Sequence, residues 1–131
     1  MESEKIFKSE NGLELLISSS KTSIVFNINN QDESIKEIFT FRFKFSDETF
    51  EEIIKYLYNL AKNQWPDLEP KEATSMSSDF DEYYDRKLDS NGYFSLKKNE
   101  FIIERPSLSS RKLFQFNKRK MESLLFSLNQ I

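Results

Sequence analysis

Seven consecutive residues, Asp79-Phe80-Asp81-Glu82-Tyr83-Tyr84-Asp85, interleave carboxylates with aromatic rings. Acids steer a basic partner toward the chain, and rings supply the buried area of a binding hot spot. The combination fits a contact loop that docks a basic protein, such as a nuclease, and occludes its cleft. The opposing reading tucks Phe80, Tyr83 and Tyr84 into a core while the acids face water. A second cluster, Arg111, Lys112, Lys118, Arg119 and Lys120, gathers positive charge around the last strand and the start of the last helix. Cations at a helix N-terminus oppose its dipole, so local stability does not account for them. They fit phosphate contact, pairing with a partner's acids, or pairing with the chain's own acidic loop. An isoelectric point near 5.2 argues against a nucleic-acid module.

Enzyme chemistry finds little to work with. The chain has 131 residues and neither histidine nor cysteine. That removes the commonest general base and metal ligand, thiolate nucleophiles, disulfides and zinc-cysteine sites. Paired carboxylates serve glycosidases and divalent-metal nucleases. Here the acids cluster on one helix face (Glu48, Glu51, Glu52) or between Asp79 and Asp85. None stands alone in apolar sequence, where raised carboxyl pKa values arise. Lys87 to Lys98 faintly resembles a calcium loop, with Asp89 and Asn91 at ligand positions and Gly92 at the turn. Its first and last positions are Lys87 and Lys98, where carboxylates belong, so a turn entering a hairpin is the better reading. Both glycines follow asparagine, which leaves no phosphate-cradling loop, and no motif joins a serine to a lysine base. The expectation is a non-enzyme without cofactor or metal.

The elements that would position these residues are legible from periodicity. Asn11-Gly12 signals a type I′ hairpin between Lys5–Lys8 and the alternating Leu13, Leu15 and Ile17. Ile24, Phe26 and Ile28 alternate again. Phe39, Phe41, Phe43 and Phe45 then share one face of a strand, with Thr40, Arg42 and Lys44 on the other. Ser46 caps a helix whose stripe runs through Phe50, Ile53, Ile54 and Leu57 and ends near Trp65, before Pro66. Residues 66–90 lack periodicity and read as a long acidic loop. The second half begins at Asn91-Gly92. Tyr93–Lys97 and Phe101–Glu104 form a hairpin around Lys98-Asn99, and Arg111–Phe116 is a strand. Asn117 then caps a helix over Lys118–Gln130.

Phe43-Lys44-Phe45-Ser46 with Phe50, Ile53, Ile54, Leu57 and Leu60 is echoed by Phe114-Gln115-Phe116-Asn117 with Met121, Leu124, Leu125, Leu128 and Ile131. The offset is a constant 71 residues. The echo reads as an internal duplication or as two strand-to-helix junctions obeying the same local chemistry. Either way the expected fold is α+β: an antiparallel sheet built from two βββα-like halves, with two helices packed on one face. One domain spans 1–131, its halves at about 1–65 and 91–131 joined by the acidic loop 66–90.

Composition bounds the setting. Aromatics reach 15%, with 13 Phe, so phenylalanine must fill much of the core. Net charge is -3, unevenly spread: residues 46–90 carry 12 acids and 5 bases, residues 91–131 carry 3 acids and 8 bases. The first 20 residues hold four glutamates and no long apolar run, so neither a secretory signal nor a membrane span is expected, and a cytoplasmic location is. The wealth of Lys, Asn, Ile, Phe and Ser fits an AT-rich bacterial or viral genome.

In size, acidity and lack of catalytic signatures the chain resembles bacterial immunity proteins that neutralise a cognate toxin, and phage-encoded inhibitors of host defence. The resemblance is compositional. It implies an intracellular protein-binding inhibitor of a larger, basic toxin or defence enzyme, with residues 79–85 as the contact loop. Two other classes remain: a secretion-type chaperone for an effector protein, and a nucleic-acid module working through the basic cluster.

Overall fold

The computed structural model describes residues 3–131. Eight strands and two long helices follow one another as β1 (Glu4–Lys8), β2 (Glu14–Ser19), β3 (Ile24–Ile28), β4 (Thr40–Lys44), α1 (Asp47–Gln64), β5 (Glu82–Asp85), β6 (Ser90–Lys97), β7 (Glu100–Glu104), β8 (Lys112–Phe116) and α2 (Lys118–Leu128). Short 3-10 turns lie at Glu33–Glu37 and Met76–Ser78. Each half is therefore βββ, strand, helix. The α+β, all-antiparallel expectation holds. The strands divide into two four-stranded sheets, ordered β1-β2-β3-β8 and β4-β7-β6-β5.

Each half gives its fourth strand to the other half's sheet. Phe114 of β8 faces Phe26 of β3, and Phe43 of β4 faces Phe101 of β7. The echoed strands thus occupy matching places in exchanged sheets. Between the sheets Phe26 stacks on Phe101, with ring centroids 5.9 Å apart, while Phe94 meets Phe114 at 5.4 Å and Phe116 at 5.8 Å. Phenylalanine fills the seam, as the composition required. Burying each such ring contributes about 1.5–3 kcal/mol.

Local chemistry starts both helices as the sequence implies. The Ser46 hydroxyl accepts from Thr49 N at 3.1 Å, and Asn117 Oδ1 accepts from Lys120 N at 2.9 Å. Helix α1 ends at Gln64, with Trp65 as its cap before Pro66. No helix among the described residues is long and apolar enough to cross a membrane.

Four sequence expectations change. Residues 66–90 do not form one loop: β5 lies within them, and Asn91-Gly92 lies inside β6 instead of opening a half. The turn joining β5 to β6 falls earlier, where Asp89 takes φ 48°. Gly92 is needed for space, since a Cβ there would meet Tyr83 Cε1 at 2.5 Å. At Asn11-Gly12 only Gly12 takes positive φ, 88°, so the hairpin closes through Ser9 N donating to Leu13 O and not through a type I′ turn. Phe39 stands outside the strand and is 41% exposed, while Phe41, Phe43 and Phe45 are buried.

One sheet edge, that of β4, is closed by the first hairpin turn. On β4, Asn11 Nδ2 donates to Arg42 O at 2.7 Å, Asn11 Oδ1 accepts from Lys44 N at 3.3 Å, and Glu10 N donates to Lys44 O at 2.6 Å. The first hairpin turn thus substitutes for a neighbouring strand, the arrangement that keeps an edge from recruiting another chain.

Candidate functional site

Strand β5 is an outer strand of the second sheet, and the seven acidic-aromatic residues run into and along it. Pleat alternation sorts them. Tyr83 and Asp85 turn inward and are buried, and Phe80 packs edge-on against Phe94 at 5.7 Å. Asp79 and Glu82 are partly exposed, Asp81 is exposed, and Tyr84 is 54% exposed. Tyr83 and Phe80 thus join the core side, whereas Tyr84 stays at the surface and the Asp85 carboxylate, against expectation, is buried. A groove of about 330 Å³ opens here, lined by Met76, Ser77, Asp79, Asp81, Glu82, Tyr83, Tyr84 and Lys120. Met76 stands 84% exposed at its rim.

Lys120 connects the two charged clusters. Its ammonium donates to Asp79 O at 2.8 Å and to Glu82 O at 2.5 Å. Burial holds this lysine below its ordinary pKa, against the pull of Asp81, Asp79 and Glu82. Three of the other four basic residues are also engaged within the chain. Lys112 pairs with Asp85 at 3.0 Å, Lys118 pairs with Asp67 at 2.8 Å, and Arg111 Nη2 donates to Ile28 O and Asn30 O at 2.8 Å. Arg119 alone of the five has no hydrogen bond or ion pair among the described residues. Helix α2 thus tolerates cations in its first turn because acids and carbonyls of residues 67–82 meet them.

The acids differ in state as in position. Burial first, then Asp79 and Glu82, push the Asp81 carboxyl above the usual range, and Lys120 only partly offsets them. Burial also works against Asp85 as an anion, yet the Lys112 ammonium and the Leu88 N–H, which donates to Asp85 Oδ1 at 3.1 Å, hold its pKa below the usual range. Tyr83 is pushed far up, by burial and then by Asp85 beside it. Its ring packs on Phe114 at 4.8 Å. Tyr83 therefore stays a neutral phenol at neutral pH. Among the described residues no group of three or more acidic, Cys or His side chains is placed to hold a metal ion.

Sequence reasoning missed one anchoring residue. Glu122, which no motif singled out, is 4% exposed, and Glu122 Oε2 accepts from Glu69 N at 3.0 Å. Lys71 N donates to Glu122 O at 3.2 Å. These bonds lay the 66–75 segment along α2 and deliver Met76 to the groove. Its position flanks the apolar stripe of Met121, Leu124, Leu125 and Leu128 without belonging to it, so helical spacing gives no signal for its burial. Searches of protein-family models, curated proteins and solved structures found nothing that matches this chain.

Proposed function

We propose that the protein is a non-enzymatic binding inhibitor that neutralises a larger, basic partner, of the toxin or defence-enzyme kind, through the groove beside β5. The observation that carries this reading is the juxtaposition of exposed Met76 and Tyr84 with the carboxylates of Asp79, Asp81 and Glu82 around one concavity. Methionine and tyrosine supply adaptable and rigid contact area, and the acids supply steering. Lys120 fixes the backbone on which those acids are displayed. The contact set is therefore Asp79, Asp81, Glu82 and Tyr84 with Met76, while Phe80, Tyr83 and Asp85 support it from within.

The test begins with capture of partners by the tagged protein from nuclease-treated lysate of its native cells. Kinetics with the captured protein follow. Replacing Asp79, Asp81 and Glu82 by Ser is expected to slow association about tenfold at low salt and to flatten its salt dependence. Tyr84→Ala is expected to speed dissociation, with binding weakened by about 2 kcal/mol. Association and dissociation unchanged in both variants would exclude the groove. Recovery of nucleic acid alone, from an untreated lysate, would move the function to the basic cluster.

A further inference from the structure

The outer edge of the first sheet is built differently from the edges of β4 and β5. Ser19 N donates to Ser3 O at 3.0 Å and Ser9 N to Leu13 O at 2.8 Å, and the β1–β2 register joins these points without a slip. Antiparallel pairing alternates, so Lys5 and Phe7 also turn their backbone groups to β2. Glu4, Ile6 and Lys8 turn theirs away. Those outward N–H and C=O groups have no partner among the described residues. Ile6 is 46% exposed, beside its cross-strand neighbour Leu16 on the outer face of the sheet.

Charge order decides what fits this edge. Edge lysines ordinarily protect a strand by repelling another like it. The run Glu4-Lys5-Ile6-Phe7-Lys8 does the opposite under one operation, a two-fold axis through Ile6. Antiparallel pairing about that axis sets Glu4 opposite Lys8 of the second copy, Lys8 opposite its Glu4, and Ile6 opposite its Ile6. Every outward backbone group of the three residues gains a partner, and the apolar strip from Leu16 through Ile6 continues across the axis. A parallel arrangement would set Glu4 beside Glu4. A slip of two residues would leave one end unpaired.

We infer that β1 is a homodimerisation edge, joining two copies through antiparallel β1–β1 pairing into one continuous eight-stranded sheet. The acidic groove lies on the other sheet of each copy, so the dimer presents two grooves. Two short strands bury less than a standard interface, so the association is weak, with a Kd on the order of 10–100 µM.

Sedimentation equilibrium from roughly 10 to 500 µM protein reads this directly. The wild-type chain is expected to pass from monomer to dimer across that range. Ile6→Pro removes an N–H that no intrachain bond uses, so it is expected to keep the fold, checked by circular dichroism, and to abolish the dimer. Glu4→Lys and Lys8→Glu are each expected to weaken self-association about tenfold, because both flanking pairs become repulsive. An equimolar mixture of those two variants is expected to recover it. One copy then carries lysine at both flanking positions and the other carries glutamate at both, so each cross-axis pair is again attractive. A wild-type monomer throughout, a dimer that survives Ile6→Pro, or a mixture that recovers nothing would each overturn the proposal.

Discussion

The two halves reach the same corner of the fold by different chemistry. In the first half a polar turn reaches the other sheet, where the Asn11 amide and the Glu10 backbone N–H bond the exposed edge of β4. In the second half the strand-to-turn junction at Asp85 meets β8 through a carboxylate–ammonium pair with Lys112, the carboxylate 6% exposed. An amide at a wet edge is replaceable. A carboxylate held in a nearly dry place is not, because removing it leaves the Leu88 N–H and the buried Tyr83 hydroxyl without their acceptor. The comparison shows that the repeated architecture fixes where a corner must close and leaves the means free. At this contact a buried carboxylate makes the bond in the half that also carries the groove.

The comparison breaks most clearly at that pair. Asp85→Ala is expected to cost about 3 kcal/mol and lower the melting midpoint by roughly 10 °C. Asn11→Ala is expected to cost about 1 kcal/mol, since water replaces its bonds. Equal losses in thermal unfolding would refute the asymmetry. The pH dependence has a definite sign. Asp85 titrates below its unfolded value, so its contribution is full above the unfolded carboxylate pKa and is lost as pH falls through the folded one. Acid should therefore destabilise the wild type more than the Asp85→Ala variant.

The two asparagine-glycine pairs sharpen the same contrast. At Gly12 the demand is conformational, φ 88° with open space around the missing Cβ, so Gly12→Ala is expected to cost about 1 kcal/mol. At Gly92 the demand is steric, because the Tyr83 ring lies across it. Gly92→Ala is expected to cost about 2 kcal/mol and to displace Tyr83 from Phe114, visible as changed tyrosine near-ultraviolet dichroism. A Gly92→Ala variant as stable as wild type, with unaltered dichroism, would mean that the ring moves aside freely.

These pairs also show what the sequence could and could not disclose. Periodicity marked seven of the eight strands, both caps and the hairpin at Lys98-Asn99, since each is a local pattern of apolar spacing or capping chemistry. Asn91-Gly92 reads locally like Asn11-Gly12, and only the partner strand bearing Tyr83 turns it into a packing requirement. Strand β5 escaped notice because its four residues put a tyrosine and an acid on each face, which gives no apolar alternation, and because Pro66 and Pro70 precede it. The exchange of fourth strands leaves no local trace at all. The groove residues were identifiable in type, yet their division into buried supports and exposed contacts required the pleat of β5. Glu122 was hidden by its own chemistry, because a buried carboxylate and a solvated one look alike in sequence.

The smallest expected effect tests whether charge at the groove is kept for stability or for binding. Asp81 is an exposed carboxylate whose pKa is raised, first by burial and then by Asp79 and Glu82. A raised folded pKa favours folding only below the unfolded value, and that advantage disappears as pH rises through the folded one. At neutral pH its ionisation therefore opposes folding slightly, discounted by solvent at so open a position. Asp81→Asn is expected to raise stability at pH 7 by no more than about 0.5 kcal/mol in urea unfolding, and to match wild type near pH 3. Association with a basic partner should slow in the same variant. An Asp81→Asn variant less stable than wild type at pH 7 would show that the carboxylate holds the loop together. Gain in stability with loss of association would instead mark it as a group retained at a cost to the fold, for the partner's sake.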